Sequence, residues 1–365
     1  MPRPFPVIDA DGHVVEVDRE VREYLPPPYQ GREWKRDYYL YPRGDGWAKG
    51  HRWAHQREQP DAALWLRFLD ACEITVTVLY PTAGLHAGFI RDPDWAVALA
   101  QGYNNWLYDR FLRVSPRLQG VALLPVQDPP EAAKELERAV RELGMVGGVL
   151  PAVLSPMRGY GSREFDPIYA TAERLDVPLA VHGGPTGQLG LDHFPTFAEA
   201  WPLGHPFAQM QQLTSMVIHG VFERYPRLRV AYLEAGCGWV PFLLDRLDAS
   251  WERLADRFPA PLPRRPREYL CGGNVYYAAE IEESTLSTVA RLVGGTQLLW
   301  ASDFPHERAW EAFLGDLDTL LAREDLAEST KRQILLENPC RLYRLPIPAA
   351  AASSGQAPAE RPAAP

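Results

Sequence analysis

The feature that most constrains this chain is a series of short, nearly unbroken apolar runs separated by helical stretches, several of them stopping on His, Glu or Asp. The strand candidates are Phe5 to Asp11, Ile74 to Tyr80, Leu118 to Pro125, Met145 to Leu150, Val177 to His182, Leu228 to Glu234, Asn274 to Tyr277 and Gln297 to Asp303. Most do not alternate apolar with polar residues along their length, so they are expected to be covered on both faces, as parallel strands are. Between them, amphipathic helices are expected over 62 to 71, from near Asp94, and over 131 to 143, with Glu131, Lys134, Glu135 and Arg138 forming a solvated face. Eight such units suit a single (β/α)8 TIM barrel, which 365 residues can accommodate. A doubly wound open sheet has the same local signals. The first and eighth runs, however, both end in candidate metal ligands, and only closure of the ring makes those strands neighbours.

Two segments interrupt the repeat. Residues 18 to 60 hold Trp34, Tyr38, Tyr39, Tyr41, Trp47 and Trp53 among many prolines and arginines, and read as an insertion that caps a site or mediates a subunit contact. Pro185 to Pro206 reads as a Gly-, Pro- and aromatic-rich excursion at the pocket mouth. The barrel domain is expected to span 1 to 345, and 346 to 365, rich in Ala, Pro and Ser, to be a disordered tail. A formal charge of −9 leaves no basic footprint for nucleic acid, and no apolar run approaches the ~18 residues of a membrane span. Without a recognisable signal peptide, the expected location is the cytoplasm. Cys72, Cys237, Cys271 and Cys340 are scattered and form no disulfide framework or Cys-rich zinc site.

The chemistry sits at the strand ends. Residues i and i+2 of a strand share a face, so Asp9, Asp11 and His13 can line one side, and Asp11 with His13 can ligate together. His182 ends the fifth run, and Gly183-Gly184 after it removes side chains where a ligand approaches the backbone. Asp303 ends the eighth run and precedes Phe304-Pro305-His306. A carboxylate there needs a cation, a positive side chain or N–H donors. Two carboxylates and two imidazoles suit one divalent ion, zinc first, with manganese or iron(II) as the other fits; an open position makes such a site catalytic. Glu234 can act as general acid or base, or pair with Arg246, and His306 can orient Asp303. Weaker candidates are Glu16 at the pocket edge, Arg158 and Arg163 for a substrate carboxylate, His193 and His205 at the mouth, and His51 with His55 as a second metal pair.

Together Ile8-Asp9-Ala10-Asp11-Gly12-His13, Val181-His182-Gly183-Gly184, Leu233-Glu234-Ala235-Gly236-Cys237-Gly238-Trp239, Ala301-Ser302-Asp303-Phe304-Pro305-His306 and Glu337-Asn338-Pro339-Cys340-Arg341 resemble the amidohydrolase-related (amidohydrolase-2) family. Within it they are most similar to the branch of aminocarboxymuconate-semialdehyde decarboxylase. The resemblance implies a divalent metal on Asp11, His13, His182 and Asp303, catalysis involving Asp303, Glu234 and His306, and a homodimer. Many relatives carry His or Glu where Asp11 stands, and the decarboxylases carry His where Glu234 stands. The activity the resemblance implies is metal-dependent decarboxylation of an aromatic or unsaturated small carboxylic acid, and Glu234 is a departure from that pattern. Hydrolysis of an amide, ester, lactone or C–C bond by metal-activated water is the alternative, and a barrel that only binds or scaffolds is the remaining class.

Overall fold

The structure is a computed structural model that describes residues 3–30, 40–42, 60–184, 187, 189–306 and 310–348. Its strands are β1 (Ile8–Val14), β2 (Val76–Pro81), β3 (Leu118–Gly120), β4 (Ala122–Leu123), β5 (Gly148–Pro151), β6 (Leu179–His182), β7 (Val230–Leu233), β8 (Val275–Ala278) and β9 (Leu298–Leu299). All pairings are parallel, in the sequential orders β1-β2-β3 and β4 through β9. β3 and β4 are one barrel strand interrupted at Val121, whose N–H bonds Leu79 O, while Val146 N–H reaches Gly120 O and Ala122 N–H reaches Gly147 O. The ring then closes through Ala10 N–H to Trp300 O at 3.2 Å, Asp303 N–H to Asp11 O at 3.0 Å and His13 N–H to Phe304 O at 2.8 Å. Eight strand positions with first and last joined make the expected (β/α)8 barrel.

The strands are buried along almost their whole length, which is why most of their sequences lack alternation; the polar residues Asp9, Asp11 and Thr77 of β1 and β2 are buried too. Helix ends follow local chemistry: Asp61 caps Ala62–Ala71 through Leu64 N–H, and Asp128 caps Pro129–Leu143 through Glu131 N–H. The expected solvated face on the second helix holds only in part. Glu135 is buried, accepting from Asn104 Nδ2 at 2.6 Å and from Arg138, so it ties this helix to the one over Pro93–Leu107.

The excursion after β6 is also different. From Phe197 it is a 22-residue helix running to Ile218, despite Pro202 and Pro206 within it. A Thr196–Glu199 capping box starts it, and its inner face is pinned where Gln209 Nε2 donates to Val181 O and Leu233 O and Gln212 Nε2 donates to Ala152 O. These tertiary bonds outweigh the proline penalty.

The C-terminal motif braces the barrel. Asn338 Nδ2 donates to Gly295 O and Leu298 O, and Tyr343 OH donates to Ala10 O at 2.7 Å. Of the aromatic insertion, Tyr41 is described and buried; Trp34, Tyr38, Tyr39, Trp47, Trp53, His51 and His55 lie outside the described residues, as does the expected tail from 349 onward.

Candidate metal centre and reaction cavity

Six of the residues singled out in the sequence meet at the C-terminal ends of the barrel strands. His13 Nε2 lies 3.4 Å from both Asp11 Oδ1 and Asp303 Oδ1, and His182 Nε2 lies 3.0 Å from Asp11 Oδ2. Glu234 Oε2 is 3.3 Å from His182 Nδ1, and His306 Nδ1 is 2.8 Å from Asp303 Oδ1. Ligating atoms of Asp11, His13 and His182, and likewise of His13, Glu234, Asp303 and His306, fall within 4.8 Å of one another.

Backbone carbonyls set both ligand imidazoles. A carbonyl only accepts, so His13 Nδ1 donates to Pro81 O at 2.9 Å and His182 Nδ1 to Gly183 O at 2.8 Å, which turns each Nε2 toward the cluster. His13 Nε2 and Asp11 Oδ1 are buried with no hydrogen-bond partner, and a carboxylate oxygen and an imidazole nitrogen left in this way fit a shared cation.

Two of the carboxylates are presented by unusual backbone. Glu234 (φ 57°) and Asp303 (φ 54°) sit in the left-handed region just past β7 and β9, where strain of ~1–3 kcal/mol is tolerated because the surroundings enforce it. For Asp303 that enforcement comes from Asp9. The Asp9 carboxylate accepts from Ser302 N and Ser302 Oγ, each at 2.8 Å, and from Thr77 Oγ1 at 2.8 Å, locking β1, β2 and the end of β9 together. Phe304 then stacks on Phe68 with ring centroids 4.0 Å apart. Sequence reading placed Asp9 on the face of Asp11 and His13 but saw no role for it; a register shift between Asp9 and Gly12 separates it from them, and its partners lie 68 and 293 residues away. Gly12 is required in that step, because a Cβ there would approach the Trp65 ring to 2.4 Å.

The charges act on one another strongly. Burial alone would raise Asp11, but His182 and His13 outweigh it and hold the carboxylate ionised; in return Asp11 overcomes burial and lifts His182 to about 10. Burial followed by the His306 charge keeps the His13 ring neutral. Asp303 is lowered because His306 outweighs burial, and His306 is lifted to about 9 by Asp303. Burial and then the Asp303 charge push Glu234 well above the ordinary carboxylate range.

Of the weaker candidates among the described residues, only His205 joins the site. It lies between Glu234 O at 3.0 Å and Gly184 O at 3.1 Å, and a Cβ on Gly183 would meet its ring at 2.8 Å. Gly183 therefore makes room for this histidine. Glu16 accepts the N–H groups of Thr82, Ala83 and Gly84, capping the turn after β2. Arg158 pairs with Glu164, Arg163 with Asp166, and His193 bonds Gly190 O on the surface. Arg246 is exposed, and Glu234 faces His182 and His205. Cys237 is buried with Sγ 3.1 Å from Glu283, where burial raises the thiol, the opposite of an activated nucleophile.

A cavity of about 480 Å³ opens over the cluster, lined on one side by Trp201, Pro202 and Pro206 and on the other by Ala278, Ala279 and Ile281. No described helix is long and apolar enough to cross a membrane.

The amidohydrolase family model matches residues 8–345, and the chain belongs to that family. Among curated proteins it is similar to the gamma-resorcylate decarboxylase of Polaromonas sp. (strain JS666), 29% identical over 60% of this chain and 69% of that one. It is also similar to the 2-amino-3-carboxymuconate-6-semialdehyde decarboxylase of Dictyostelium discoideum, 25% identical over 75% of this chain and 74% of that one. Among solved structures, a dihydroxybenzoic acid decarboxylase from Polaromonas sp. JS666, with bound manganese and the inhibitor 2-nitroresorcinol, superposes with a TM-score of 0.71 at 21% identity, over 93% of this chain and 97% of that one. With such relatives the chain is an enzyme, not an inert scaffold of the same fold.

Proposed function

We propose that the chain is a metal-dependent, nonoxidative decarboxylase of an aromatic or similarly unsaturated carboxylic acid. The observation that carries it is the convergence of Asp11, His13, His182 and Asp303 with two buried, unsatisfied ligand atoms, in a chain whose relatives bear decarboxylase names. Those four side chains would hold the ion. The donor set suits manganese, found in the dihydroxybenzoic acid decarboxylase structure, as well as the zinc expected from sequence. When bound, a divalent cation supplies Lewis-acid stabilisation of the negative charge that builds as carbon dioxide leaves.

The remaining work belongs to the chain. The walls of Trp201, Pro206, Ala278 and Ile281 give an apolar slot for a planar ring. His306 stores a proton 2.8 Å from Asp303 and is itself held by Thr82 Oγ1 at 2.9 Å from Nε2. Asp303 receives that proton and delivers it to the carbon from which the carboxylate departs, and solvent reprotonates His306. Glu234, kept neutral by burial and by Asp303, donates a hydrogen bond to a substrate oxygen. Assembly as a homodimer is part of the same proposal, and light scattering on the purified chain tests it.

The reaction is tested with metal-loaded protein in oxygen-18 water and candidate aromatic acids. Release of carbon dioxide with no label in the organic product is the expected result. Label entering that product identifies the alternative, hydrolysis by metal-activated water.

A further inference from the structure

We infer that Glu16 is a positioning residue for the reaction: it fixes the turn that carries Thr82, and through Thr82 it sets the ring of His306. The inference rests on the decarboxylase reading only for the role of His306 as proton store.

Glu16 is buried, and among the described residues no Lys or Arg pairs with it. Its oxygens are met by the backbone of one segment. Oε2 accepts from Thr82 N–H at 3.2 Å and Ala83 N–H at 2.8 Å, and Oε1 accepts from Gly84 N–H at 2.8 Å. A buried carboxylate without donors is costly, and the first N–H groups of the short helix Ala83–Phe89 have no acceptor within it, so each fixes the other. The nearby hydroxyls of Tyr41 and Tyr103 feel the Glu16 charge but make no hydrogen bond among the described residues, which leaves the carboxylate committed to the turn. Gly84 permits the close approach: a Cβ there would lie 2.6 Å from Pro81 Cβ and 3.2 Å from Glu16 Oε1.

The turn carries the second link. Thr82 Oγ1 lies 2.9 Å from His306 Nε2, while His306 Nδ1 is 2.8 Å from Asp303 Oδ1. With Nδ1 given to that carboxylate, Thr82 decides where the far edge of the ring points. Pro81, one residue earlier, is held differently. It ends β2, pairs with Val14 of β1, and its carbonyl takes His13 Nδ1 at 2.9 Å. Strand pairing keeps that carbonyl in place without Glu16, so loss of the carboxylate frees His306 and spares the metal ligand.

The test is a double-mutant cycle on the manganese-loaded full chain with Glu16→Gln, Thr82→Val and the pair, assayed with an aromatic acid that the parent chain turns over. Glu16→Gln keeps the size of the side chain but sets an amide NH2 against the N–H groups of the turn. It is expected to lower kcat by about fivefold or more, with KM within about twofold and one ion per chain retained. Because Glu16 acts through Thr82, the double variant should be no slower than Thr82→Val alone, about tenfold below the parent; a residue that only stabilises the fold gives losses that multiply. Crystal structures supply a readout that needs no turnover: in Glu16→Gln the Thr82–His306 contact should open while His13 stays on Pro81 O. Should Glu16→Gln not fold, Glu16→Asp, too short to reach all three N–H groups, takes its place. An intact Thr82–His306 contact in the variant, or multiplying losses in kcat, overturns the inference. An opened contact in a chain whose parent releases no carbon dioxide supports the positioning and overturns the decarboxylase reading alone.

Discussion

The two halves of the site are held in opposite ways. Asp11, His13 and His182 have side chains at most 1% exposed and lie within β1 and β6, and the two imidazoles are fixed by carbonyl partners. Glu234, Asp303 and His306 are 17%, 29% and 11% exposed, and the two carboxylates sit on left-handed backbone past the strand ends. The inner half is built like a core and suits ion binding. The outer half faces the cavity, with proton-carrying groups in contact, and suits the reaction.

Changes in the inner half should break this division most severely. Asp11→Asn or His182→Ala is expected to lose the bound ion and about a thousandfold or more in rate, read by metal analysis alongside turnover; retention of one ion per chain would mean that the halves do not differ. Glu234→Gln in the outer half should keep the ion and lose about a hundredfold in kcat. Asp9→Ala leaves Ser302 N–H and the Thr77 hydroxyl without their acceptor, at a cost of about 3 kcal/mol in urea unfolding, because the seam between the halves loosens. Thr82→Val removes the partner of His306 Nε2 and should slow turnover by about tenfold with the ion content unchanged.

The smallest effect is on pH dependence, measured on chelated protein. His306 is raised from 6.5 to about 9 by Asp303, so the folded state binds this proton more tightly than the unfolded chain does. The stability it contributes is full below 6.5 and is lost as pH rises through about 9. His306→Gln should flatten the unfolding profile across that window.

Much of this arrangement was legible in the sequence because each inner ligand ends or follows an apolar run, and a run that stops on a charged group marks a strand terminus. Glu234 and Asp303 were legible for the same reason. Their left-handed backbone was not, since it depends on Asp9, Ser302 and the packing of Phe304. His205 was legible only as a mouth residue, because the prolines around it argued against the helix that brings it to Glu234. Asp9 was visible but mute, since what defines it is contact with Thr77 on β2 and with Ser302 past β9.

The account's central claim is that side chains from β1, β6 and the end of β9 share one cation. Anomalous X-ray diffraction at the manganese edge, from crystals of the manganese-loaded chain, tests it most directly. The expected result is a single strong peak bounded by Asp11, His13, His182 and Asp303; a peak bound elsewhere, or none at that cluster, would contradict it.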